Sequence, residues 1–260
     1  MARVTIEYEN HVARVTLTRP DKMNAMDPEM RDAIIAAGEE VAASDARAVL
    51  LQGEGRAFCA GIDIMGFSSS LQGNTEDLLM PRTHHDANAF QEVCLVWRRV
   101  PVPVIAALHG VVYGAGMQIA MGADIRIAAP DLQMAIMEMK WGLVPDMGAM
   151  ALWPQLIRSD VLRQMTYTAA PIGADQAERW GLVTSLADDP QAAALALAQE
   201  IASKSPSAMR ACKALIEVAE TQGREAVLLE ESRKQVEMIG SADQMETVMA
   251  QMQKRPAVYK

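Results

Sequence analysis

VIAALHGVVYGAGMQIAMGADIRIAA, residues 104 to 129, is the stretch whose reading decides the fold. It opens with the apolar run Val104 to Leu108, of the kind carried by a strand buried on both faces. Glycines at 110, 114 and 116 then mark a turn, GAGMQIAMG has the composition of a short buried helix, and IRIAA, Ile125 to Ala129, is strand-like again. From Val100 to Ala123 there are 24 residues without Asp, Glu, Lys or Arg, long enough to suggest a membrane span. Pro101, Pro103, four glycines, His109 and Gln118 break that run, so strand, turn and helix explain it better and no span is expected.

The same alternation extends in both directions. Towards the N-terminus, Val4 to Tyr8 and Val12 to Leu17 alternate as a hairpin, Asp27 with Pro28 caps a helix through Met30, Ile34 and Val41, and Ala48 to Gly53 forms a buried strand. Ser68 to Glu76 is polar and reads as a mobile loop or lid; Ala87 to Arg99 has helical spacing of Phe90, Cys94 and Trp97. Towards the C-terminus, QMAIM (Gln133 to Met137) predicts a strand and MGAMALWPQLI (Met147 to Ile157) a helix, with Asp146 placed to cap it. Strands alternating with helices define an α/β class. From Asp189 onward the pattern is helical only, with Pro190 and Pro206 at helix starts, so the expected organisation is a core over 1–188 and a helical, oligomerising region over 189–260.

Composition excludes several functions. A net charge of -9 and a pI near 5.0 argue against nonspecific nucleic-acid binding, which needs a basic surface. Cys59, Cys94 and Cys212 are odd in number and far apart, so neither a disulfide framework nor a metal site is expected. A reducing cytosol fits that usage, and the start of the chain reads as strand, not signal peptide, so a cytoplasmic protein is expected. Met numbers 19 against 11 for Phe, Tyr and Trp together. Seven of those methionines lie between Met117 and Met150, which suggests a deformable apolar pocket, although Met also fills core gaps.

Two glycine-bearing turns, Gly53 to Asp63 and Gly110 to Gln118, each follow an expected strand and offer free backbone N–H groups. Their spacing does not match the GxGxxG dinucleotide fingerprint. Other candidates are plainer: adjacent His84 and His85 point different ways and belong to a solvated lid, His109 belongs to its turn, and Cys59 is a small buried thiol.

RAFCAGIDI (Arg56 to Ile64), HGVVYGAGMQIAMGADIRIA (His109 to Ala128) and MEMKWGLVPDMG (Met137 to Gly148) together resemble the crotonase superfamily, also called the enoyl-CoA hydratase/isomerase family. LTRPDKMNAMDPEM near the start and the tail around Lys254 to Pro256 extend the resemblance along the chain. It implies a ββα spiral core, a helical C-terminal region assembling a homotrimer or dimer of trimers, and acyl-CoA thioester substrates, with coenzyme A part of the substrate and no separate cofactor. It also implies that the amides of Ile62 and Ala115 hold the thioester oxygen as it gains charge. Lys22, Ala25, Ala60, Asp63 and Ile64 map onto the coenzyme A cleft, Asp63 also steadying its turn.

Carboxylates decide the reaction. Hydratases of this family use two glutamates; Glu138 matches the second, while the first position holds Gln118, an amide that orients but does not shuttle protons. In the dienoyl-CoA isomerase branch acidic residues match Glu138 and Asp146. Asp146 therefore stands as either a second proton carrier or only a helix cap. Expected chemistry is hydration or double-bond isomerisation of unsaturated acyl-CoA through an enolate; a noncatalytic acyl-CoA binder, or another reaction such as thioester hydrolysis, decarboxylation or C–C cleavage, shares the same turns.

Overall fold

The computed structural model describes residues 2–63 and 75–259. Strands β1 (Val4–Glu9) and β2 (Val12–Leu17) form the expected antiparallel hairpin, turned by Asn10 and His11 at positive φ. β2 then pairs in parallel with β3 (Ala48–Gly53) after the crossover helix α1 (Pro28–Ala42), whose first turn is capped by Asp27 accepting from Met30 N–H. Helix α2 (Thr75–Leu79) follows; of the expected lid, Ser68 to Asn74 lie outside the described residues. Helix α3 (Ala89–Arg99) carries a full capping box between Asn88 and Gln91.

The deciding stretch resolves into β4 (Val104–Leu108), β5 (Val111–Tyr113), α4 (Ala115–Met121) and β6 (Ile125–Ala128), followed by β7 (Gln133–Ala135). From β4 to β7 successive strands alternate between two sheets, β1-β2-β3-β4-β6-β9 being the larger and β5-β7-β8 the smaller, with β8 at Ile172–Gly173 and β9 at Ser185–Leu186. The three short strands β5, β8 and β9 went unread in the sequence because two or three residues carry no periodicity. Between β7 and β9 lie α5 (Trp153–Leu156), α6 (Ser159–Thr168) and α7 (Ala174–Arg179).

Strand alternation accounts for the two faces of the larger sheet. Val49, Leu51, Val104, Ala106 and Leu108 point into the main core, while Ala48, Leu50, Ile105 and Ala107 point to the opposite face. That second face is covered by α8 (Pro190–Ala202) through Ala194, Ala198 and Ala202, small side chains that let helix and sheet approach closely. The first helix of the C-terminal region therefore completes the core. α9 (Pro206–Thr221), α10 (Arg224–Met238) and α11 (Ala242–Gln253) follow, and α10 buries no residue. No helix among the described residues is long and apolar enough to cross a membrane.

One expectation fails. Met147 to Ile157 is not one helix: it divides into a 3-10 turn, Ala149–Ala151, and the four-residue α5, with no side-chain cap on either. Gly148, at φ +95°, runs so close to α3 that a Cβ there would lie 2.7 Å from the Gln91 carbonyl oxygen. The chain must turn at that contact, and Asp146 caps nothing.

Candidate active site

Three loops are laced into one wall. Met26 pairs with Ile62 and Cys59 with Val112 as isolated parallel bridges, so the loop after β2, the loop after β3 and strand β5 lie side by side. Asn24, fully buried, organises the lacing: its amide nitrogen donates to the carbonyls of Glu54, Ala57 and Phe58, and its oxygen accepts from Arg19 N–H. Arg19 in turn reaches Ala25 O at 2.8 Å and Asp63 Oδ2 at 2.8 Å. Neither Arg19 nor Asn24 was singled out from the sequence. The available signal was an Asn between apolar neighbours in a loop, at a position that adopts φ +53°.

This lacing brings the two glycine turns together. Gly61 has φ +102°, and a Cβ on it would lie 3.0 Å from Tyr113 O and 3.8 Å from Ala115 N. Gly116 presses on the other side: its Cβ would sit 2.3 Å from the Cys59 carbonyl oxygen. The N–H groups of Ile62 and Ala115 thus sit on touching turns, and among the described residues neither donates to an acceptor in the chain. Ala115 is the first residue of α4, where a helix leaves its N–H groups unspent.

Glu138 arrives from β7, the strand paired with β5 in the smaller sheet. Gly114 N–H donates to Ala135 O at 2.9 Å, tying the end of β5 to the end of β7 three residues before Glu138. β7 stops at Ala135, short of the expected Met137, because the chain winds there into a 3-10 turn, Glu138–Trp141. A Cβ on Gly114 would lie 3.7 Å from Glu138 Oε1, so the carboxylate sits beside the turn that carries Ala115. Gln118, fully buried one helical turn along α4, donates from Nε2 to Glu138 Oε1 at 2.6 Å and accepts at Oε1 from Met147 N–H at 2.9 Å. Glu138 Oε2 is buried without a hydrogen-bond partner among the described residues.

Withdrawal of water raises the Glu138 pKa above the ordinary carboxylate range; its own backbone N–H, the Gln118 donor and the Met137 backbone N–H pull it back down, and the nearby charge of Asp146 pushes it up again. Asp146 opens to solvent on one side, yet the protein crowded around it raises its pKa as well. Two carboxyls thus lie within electrostatic reach of each other, and one of them, Glu138, sits beside the turn that carries the unspent Ala115 amide. Such a set can polarise a carbonyl and move a proton at an adjacent carbon.

The remaining positions divide. Lys22 is exposed on the first loop, Ala25 and Ala60 are half-buried at its seam with the second, and Ile64 lies outside the described residues. Burial pushes the Cys59 thiol up to about 12, and its Sγ contacts Asn24 O at 3.1 Å, which makes it a packing residue. His109 Nε2 lies 2.9 Å from Gly55 O, so it links its own turn to the loop after β3. Of the clustered methionines, Met117, Met121, Met134 and Met147 are buried in the main core, while Met137, half-buried, lies beside Gly114.

Comparison with known proteins agrees with this geometry. The family model described as Enoyl-CoA hydratase/isomerase matches residues 7–260. The chain is 31% identical over 255 residues to the mitochondrial Delta(3,5)-Delta(2,4)-dienoyl-CoA isomerase of Mus musculus, covering 95% of this chain and 78% of that protein; the human counterpart is spanned over 66% of its length, at 35% identity over 81% of this chain. To the 1,2-epoxyphenylacetyl-CoA isomerase of Escherichia coli it is 32% identical, covering 98% of this chain and 97% of that one. The crystal structure of enoyl-CoA hydratase from Bacillus anthracis superposes with a TM-score of 0.88 at 26% identity, over 99% of each chain. The chain is therefore an enzyme of the enoyl-CoA hydratase/isomerase family, with the α/β fold of the crotonase superfamily.

Proposed function

We propose that this enzyme isomerises carbon–carbon double bonds in unsaturated acyl-CoA thioesters, with Glu138 as the group that moves the proton. The observation that carries the reading is the divided state of the Glu138 carboxylate: Oε1 is held by the Gln118 amide beside the Gly114 turn, and Oε2 is buried with no hydrogen-bond partner among the described residues. In the reaction Oε2 takes a proton from a carbon conjugated with the thioester. The C–H electron pair moves into the conjugated system and charge collects on the thioester oxygen, where the Ile62 and Ala115 N–H groups stabilise it. The proton returns to a different carbon, from Glu138 or from Asp146, the enolate pair re-forms a double bond, and the product has the mass of the substrate.

Lys22, Ala25, Ala60, Asp63 and Ile64 form the coenzyme A cleft in this reading, Asp63 through the Arg19 contact that fixes its loop. The chemistry calls for no group beyond the substrate's own coenzyme A. Copies of the chain assemble through the last helices, where Leu228, Leu229, Val236 and Ile239 are exposed on an element that buries nothing in its own chain. The test is incubation with 2-enoyl-, 3-enoyl- and 3,5-dienoyl-CoA, following product mass: isobaric products support isomerisation, a gain of one water supports hydration, and binding without turnover contradicts catalysis.

A further inference from the structure

We propose that Gln118 is the positioning residue that holds Glu138 with one oxygen spent and one free, ties the Asp146 segment to the same point, and so directs the proton back to carbon instead of towards added water. The proposal deepens the isomerase reading and rests on it.

Orientation of the amide is fixed by its neighbours. Met147 N–H can only donate, so it claims the oxygen of Gln118 and turns the nitrogen towards Glu138. That nitrogen can only donate in turn, so Glu138 Oε1 is held as an acceptor in every protonation state of the carboxyl. Protonation of Oε1 would weaken that bond, so the proton favours Oε2, which is buried with no hydrogen-bond partner among the described residues. A proton carrier with a single productive oxygen meets the needs of a reaction in which one proton leaves one carbon and arrives at another.

Addition of water makes a further demand. One group must activate water while another delivers a proton to carbon, and both must face the substrate. The position one helical turn behind the amide donor of Ala115 is filled by Gln118, which neither accepts nor releases a proton at working pH. The same amide grips the chain at Met147, next to Asp146, so the segments bearing the two carboxyls share one clamp. Loosening that clamp releases both.

Two variants and one control test this. Q118M keeps length and removes both hydrogen bonds; Q118E keeps an acceptor for Met147 N–H, removes the donor to Glu138 and supplies a second titrating group. For Q118M, kcat is expected to fall about 10- to 100-fold with KM within about twofold. The acid limb of its pH–kcat profile moves to higher pH, because the carboxylate has lost a donor. Q118E shows the same upward limb and a larger share of product carrying one added water. Should Q118M fail to fold, Q118E and the wild-type enzyme carry the test: the Gln118 side-chain amide signals in nitrogen-15 spectra, identified by their loss in Q118E, titrate with the pKa of kcat. Wild-type kcat and pH profile in either variant, or amide signals blind to pH, overturn the proposal while E138Q remains inactive. An active E138Q would instead remove the isomerase reading beneath it.

Discussion

Within Glu138 the two oxygens of one carboxylate have different fates, and that asymmetry is what a pH study reads. Its pKa is raised chiefly by burial, so the base form appears only as pH climbs beyond the ordinary range, and kcat/KM is expected to rise along that limb. Stability runs the other way. A carboxyl whose folded pKa lies above its unfolded value contributes stability that is present below the unfolded value and lost as pH rises through the folded one. Glu138→Gln removes that loss, so its melting temperature matches wild type near pH 4 and exceeds it at pH 8; a variant less stable at pH 8 would contradict the assignment. In the sequence, Glu138 stood out only through a combination of motifs that are each weak alone, and Asp146 was ambiguous because Pro145-Asp146 before an apolar run mimics a helix start. Only the close approach of Gly148 to α3 removes the cap.

The loop wall depends on contacts that no local pattern announces. Asn24 satisfies three buried carbonyls from two protons, a role that follows from where the loops after β2 and β3 meet. Asn24→Asp turns that donor into an acceptor against the same carbonyls and is expected to cost about 2–4 kcal/mol in urea unfolding, with a loss of kcat as the Ile62 turn loosens. A second tie holds α9 to the core: Lys213 Nζ donates to Trp97 O, Val102 O and Asp124 Oδ2, spending all three protons. Lys213→Met removes the cation that those three acceptors share, leaving Asp124 Oδ2 with only the Val104 N–H, and should cost about 3 kcal/mol, read by the same unfolding curve. Helices and long strands were legible because their caps and periodicity are local; these ties are not, since their partners lie about 30 to 116 residues apart.

Over the whole molecule, the smaller sheet pairs β5 with β7, and that pairing joins the Ala115 turn to Glu138. Class and order of the main elements could be read from the sequence, whereas the smaller sheet could not. Assembly is argued from α10, which packs on α9 yet leaves Leu228, Leu229 and Val236 exposed: light scattering should give a trimer or dimer of trimers, and a 28.2 kDa particle would contradict that. The central claim concerns the proton. Turnover of a 3,5-dienoyl-CoA in deuterated water, followed by mass spectrometry with wild type and Glu138→Gln side by side, tests it most directly. The account expects wild type to give rearranged product free of added water, and the variant to be slower by about 10² or more. Equal rates for the two proteins, or a product that has only gained water, would contradict it.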